Sequence, residues 1–165
     1  MKARHFHSTN RFIDELCALN DGGEFGRVYK DIYPSELDLK VEHSGSEASF
    51  LSLYITINEG LFVYRLFDKR DDFPFSIVRM PYISSNIPES IFYSAMVGEF
   101  LRIARSSLLF TDFLPKSREL IHRLKNQGAV QQTSIRHLRK IIQRQQDDFS
   151  HFRIETEEML SQIFD

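Results

Sequence analysis

Two groups of residues in this chain of 165 have the types and spacing to do chemistry. Asp14 and Glu15 are adjacent carboxylates within a short apolar stretch (Phe12, Ile13, Leu16, Ala18, Leu19) that ends at Asn20-Asp21-Gly22-Gly23, a strong chain break. The pattern predicts a hairpin with acidic residues at its tip, and taken alone the pair reads as a polar turn. The second group is a run of cations. Residues 116–144 carry Lys116, Arg118, Arg123, Lys125, Arg136, Arg139, Lys140 and Arg144 against a single carboxylate, whereas residues 145–165 carry one Arg against six carboxylates. A formal net charge of −2 therefore conceals a basic segment followed by an acidic tail. Arg136, Arg139 and Lys140 fall at i, i+3 and i+4 and so share one helix face, while Ile135, Leu138 and Ile142 turn inward. Such a face meets phosphates without reading bases. The alternative is a solvated helix face. The acidic tail is placed to cap it when nucleic acid is absent.

Other candidates carry less. His5 and His7 are two apart, as two ligands on one strand would be, but no Cys or third His stands near them, so they read as surface histidines. Cys17 sits in an apolar strand and reads as a small buried hydrophobe. In the run Asp68 to Asp72, Lys69 and Arg70 separate the carboxylates, which favours a salt-bridged loop over a metal site. There is no phosphate-binding loop, dinucleotide fingerprint or nucleophile motif.

The elements that must position these groups divide the chain. Phe25, Val28, Tyr29 and Ile32 form a helical stripe that Pro34 stops. Leu37, Leu39 and Val41 alternate with charged residues. Leu51, Leu53, Ile55 and Ile57 alternate up to the turn Asn58-Glu59-Gly60, and a second alternation over 61–67 completes a β-hairpin. Residues 68–88, with three prolines, read as a long ordered loop or crossover. Four helices follow: one from Ile91 to Leu108, a second from Leu114 to Asn126 stopped by Gly128, a third around Ile135 to Ile142 and a fourth through Phe152, Met159, Leu160 and Ile163. The expected fold class is α+β: antiparallel hairpins with one short helix over residues 1–88, then a helical bundle over 89–165.

Composition bounds the function. With 42% apolar and 27% charged residues the chain is that of a globular protein, neither disordered nor a uniformly basic coat for nucleic acid. One cysteine makes no internal disulfide, no export signal opens the chain, and no apolar run approaches the ~20 residues of a membrane span, so an intracellular protein with no membrane partner is expected.

Several segments, taken in order, resemble a known family. Asn10-Arg11-Phe12-Ile13-Asp14-Glu15 resembles the palm hairpin of reverse transcriptases, an aromatic residue, any residue, then two Asp. Ile32-Tyr33-Pro34-Ser35-Glu36-Leu37, Ser49-Phe50-Leu51-Ser52-Leu53, Tyr64 to Phe67 with Asp68-Lys69-Arg70-Asp71-Asp72-Phe73, and Pro81 through Ser85-Asn86-Ile87-Pro88 follow, then Leu101-Arg102-Ile103-Ala104-Arg105 and the break at Gly128. The series is similar to the C-terminal part of reverse-transcriptase-like proteins of animal retroelements, the end of a palm followed by a thumb.

The resemblance implies chemistry and also its limits. RNA-directed DNA polymerases hold divalent cations, Mg2+, on carboxylates of the palm. Asp14 matches the hairpin carboxylate and would be a metal ligand only if the missing half of the palm were supplied. The early-palm Asp and the fingers have no counterpart here, because only 13 residues precede Asp14. Glu15 stands where a second Asp is usual, and its extra methylene displaces a ligand by roughly 1 Å from the short contacts a small cation demands. Ser52 interrupts what is usually Phe-Leu-Asp-Leu. The carboxylates thus read as vestigial, and the chain alone is expected not to polymerise. The basic segment lies where a thumb tracks an RNA or DNA duplex. The expected function is binding of template–primer backbone, with the rest of a reverse transcriptase or a second copy as a protein partner. The alternative is a domesticated structural module that associates through an exposed sheet edge.

Overall fold

The computed structural model describes residues 9–19, 22–75, 77, 78 and 80–165. His5 and His7, and Asn20 and Asp21 of the expected chain break, lie outside the described residues. The fold is α+β, with small antiparallel sheets first and a helical region after them.

Strands β1 (Thr9–Phe12) and β2 (Glu15–Ala18) pair in the register Phe12↔Glu15, leaving Ile13 and Asp14 as the turn. Ile13 takes the left-handed conformation, φ 51°, which a β-branched residue adopts only at a cost. Helix α1 (Phe25–Ile32) follows the apolar stripe, and Tyr33, extended because Pro34 follows it, ends it by donating its N–H to Tyr29 O. Phe25 is buried and meets the ring of Tyr33 edge-on at 6.5 Å, whereas Ile32 stays exposed.

Strands β3 (Glu47–Phe50), β4 (Leu53–Asn58) and β5 (Leu61–Leu66) form the second sheet in that order. The β4–β5 hairpin is the expected one, with Glu59 and Gly60 both at positive φ as a tight two-residue turn requires. Two details depart from the sequence pattern. The alternation that begins at Leu51 is not one strand, because Leu51 and Ser52 are the turn back to β3 and Leu51 adopts φ 57° without any Gly, Asn or Asp to signal it. The alternation over Leu37, Leu39 and Val41 builds no strand.

Helices α2 (Glu89–Arg105), α3 (Phe110–Asn126), α4 (Gln131–Arg144) and α5 (Thr156–Phe164) form the second region. Helix α3 starts four residues before the expected Leu114, so that Pro115 lies inside it. Proline forfeits one backbone hydrogen bond there. Packing outweighs that loss: Phe113 is fully buried, with ring centroids of Phe152 at 4.7 Å and Phe100 at 5.4 Å. At its other end Gly128, φ 95°, donates to Lys125 O and Ala129 donates to Leu124 O, the paired bonds of a glycine-terminated helix.

The core is built from Phe92, Met96 and Phe100 of α2, Leu120 and Leu124 of α3, Leu138 and Ile142 of α4, and Met159 and Ile163 of α5. Among the described residues before 89, only Phe25 and Leu66 are buried apolar side chains. The crossover belongs partly to the helices: Met80, Ile83 and Ile87 pack on their core, and Ile83 N–H donates to Gln127 O.

Candidate nucleic-acid interface

The eight predicted cations separate into bound and open ones. Lys116 of α3 donates to Asp71 at 2.6 Å; burial works against its charge, yet Asp71 and Glu119 outweigh burial and hold the ammonium above its ordinary pKa. Arg118 donates Nε to the carbonyl of Gln162 at 2.7 Å, in the last turn of α5, where a cation also meets the negative end of the helix. Arg123 lies 3.9 Å from Glu119. Arg139 grips Glu157 of α5 with two bonds, Nε to Oε1 at 2.7 Å and Nη2 to Oε2 at 2.8 Å. That bond keeps the Glu157 carboxyl below its ordinary pKa and the guanidinium above its own.

The side chains of Lys125, Arg136, Lys140 and Arg144 are exposed and have no hydrogen bond or ion pair among the described residues. Three of them form a line. Arg136, Lys140 and Arg144 are spaced by four along α4, so successive side chains stand about 6 Å apart on one face of the helix. The opposite face is fixed by Ser134, Leu138 and Ile142, which are buried. The structure thus brings Arg136 and Lys140 together as the spacing implied, takes Arg139 out to α5, and adds Arg144 in its place. Among the described residues, the ion pair between the acidic tail and α4 is Arg139–Glu157.

The carboxylates of the first hairpin are held differently. Asp14 is exposed at the β1–β2 turn. Glu15 accepts from Lys69 Nζ at 2.9 Å and from the Leu51 N–H at 2.9 Å, and these two bonds pull its pKa below the ordinary value. One carboxylate therefore joins three segments: the first hairpin, the strained β3–β4 turn and the chain after β5. The described residues contain no group of three His, Cys, Asp or Glu placed to hold a metal ion. With both Glu15 oxygens engaged, Asp14 and Glu15 as they stand do not fit a Mg2+ site. Cys17 is half-buried, which raises its thiol pKa.

A further charged cluster grows from the run Asp68 to Asp72 and extends beyond it. Asp68 accepts from the Arg70 N–H at 3.1 Å, from its Nε at 2.7 Å and from its Nη2; Arg70 and Arg102 each also approach Glu99, and Arg102 Nη2 lies 3.6 Å from Asp68. The ring of alternating charges ties the end of β5 to α2. It holds the Asp68 carboxyl far below its ordinary pKa, chiefly through the bonds from Arg70. The run 68–72 is thus salt-bridged through Asp68, Lys69, Arg70 and Asp71, as its interleaved signs suggest. The contribution of Glu99 and Arg102 is visible in the sequence only as an i, i+3 pair on a helix.

Compared with family models, curated proteins and solved structures, the chain matches none. No described helix is long and apolar enough to cross a membrane.

Proposed function

We propose that the chain binds the phosphate backbone of a nucleic-acid duplex through the open cations of α4, as the palm end and thumb of a reverse-transcriptase-like protein. The observation that carries this reading is the line Arg136, Lys140, Arg144: three exposed cations with no internal partner among the described residues, on a helix whose other face is locked into the core. Arg105, by contrast, forks onto the Asp148 carboxylate and Arg139 onto that of Glu157. An unneutralised row is the surface that a row of phosphates would neutralise. The order of elements, hairpins then helices, agrees with the palm-to-thumb order of the resembled family. Asp14 would hold Mg2+ only if the missing half of the palm were supplied.

Purified chain should bind an RNA–DNA or DNA duplex with weak sequence preference and an affinity that falls steeply with salt. Absence of binding at low salt would remove the reading. Nucleotide incorporation by the isolated chain would contradict its second part, that the chain does not polymerise alone.

One observation favours a second reading, a module that pairs with another polypeptide. The β1–β2 sheet has two strands and its outer edge carries Phe12, which is 53% exposed. Two-stranded sheets are marginal in water and open edges recruit strands. Concentration-dependent self-association in light scattering would support pairing between copies, and a strictly monomeric chain would count against it.

A further inference from the structure

The open row on α4 is flanked by one cation that is not open. Arg139 lies between Arg136 and Lys140 in sequence and faces α5, where the Glu157 carboxylate takes both of its donors in a fork. A guanidinium offers the same planar fork to a phosphate. We propose that Glu157 is an internal phosphate mimic: it occupies Arg139 and withholds it from the backbone phosphates of a bound duplex, so that α5 restrains the affinity of the thumb. This rests on the proposed nucleic-acid interface and adds a regulatory contact to it.

The geometry permits a phosphate in place of Glu157. The Arg139 and Glu157 side chains are 42% and 67% exposed, so ligand reaches the pair, and exposed ion pairs contribute little to stability. The helices need not move when it opens. Helix α4 is fixed by Leu138 and Ile142 and α5 by Met159, Leu160 and Ile163, all buried. Glu158, next in the chain, accepts from Gln162 at 3.2 Å and has no ion pair with an arginine among the described residues, so it supplies an internal control for charge alone.

The test is a salt series of duplex binding, followed by fluorescence anisotropy with a labelled DNA duplex, on wild-type chain, Glu157→Gln, Glu158→Gln and Arg139→Gln/Glu157→Gln. Freeing Arg139 adds one phosphate contact and steepens the slope of log affinity against log salt by about 0.9. With lines that meet at 1 M salt, this corresponds to about an eightfold tighter complex at 0.1 M for Glu157→Gln. Glu158→Gln should leave the slope at the wild-type value, and the double variant should lose the gain. Equal gains from Glu157→Gln and Glu158→Gln would overturn the proposal, since net charge would then explain both. Wild-type binding with no change in Glu157→Gln overturns the mimic and leaves the interface standing. Failure of every form to bind, with helicity intact by circular dichroism, overturns both.

Discussion

Replacing Asp68 with Asn removes the centre of the charge ring while keeping the side chain's shape. Asp68 receives a backbone N–H and two guanidinium donors from Arg70, and its side chain is only 13% exposed. Asn keeps one acceptor oxygen, loses the charge and turns an NH2 group toward Arg70. The loss is that of a charge-assisted hydrogen bond in a mostly buried setting, about 2 kcal/mol. For a chain of this size that lowers the melting temperature by about 4–8 °C, read by circular dichroism, with a parallel drop in urea midpoint at unchanged m. The pH dependence follows from the depressed carboxyl. A group whose folded pKa lies below its ordinary 3.8 contributes its full stabilisation above that value and loses it as pH falls toward the folded one. The gap between wild type and Asp68→Asn should therefore be constant at neutral pH and narrow below about pH 4. A variant within about 0.5 kcal/mol of wild type at pH 7 would show that the ring is solvated and holds nothing together.

Two further perturbations probe other joints. Gly128→Ala would set a Cβ 2.6 Å from Ile83 Cγ2 at φ 95°, so both the turn and the crossover must give; a loss of more than about 1 kcal/mol in urea unfolding is expected, and an unaffected midpoint would contradict the packing of Ile83 on that turn. Glu15→Gln weakens the bonds to Lys69 and the Leu51 N–H without touching the core; the Leu51 amide should exchange faster with solvent while the melting temperature barely moves, and unchanged exchange would mean that the turn is held by other means.

Much of the fold was legible because local chemistry and tertiary context agree. Glu59-Gly60 demanded a tight turn, the spacing of Phe25, Val28, Tyr29 and Ile32 demanded a helix, and Gly128 demanded a helix end. Elsewhere the two levels conflict. Leu51 is driven to positive φ in a turn whose N–H also donates to Glu15, 36 positions away, and Pro115 is absorbed into α3 because Phe113 packs between Phe100 and Phe152. Nothing local signals either. The candidate interface was half legible for a similar reason. Helical spacing places Arg136 and Lys140 on one face, but the partner of Arg139 depends on how α5 packs against α4, which periodicity does not encode. The identities of Asp14 and Glu15 suggested metal chemistry through family resemblance alone, whereas the engagement of Glu15 by Lys69 joins residues far apart in the chain.

The most direct measurement compares duplex binding by wild-type chain with that of Arg136→Ser/Lys140→Ser/Arg144→Ser across a salt series. If these three open cations each meet a phosphate of double-stranded DNA, the slope of log affinity against log salt should shallow by about 2.7, with helicity and unfolding midpoint preserved because the side chains lie opposite Leu138 and Ile142. An unaltered slope in a folded triple variant would show that the row on α4 is solvated and that nucleic acid, if bound at all, is held elsewhere.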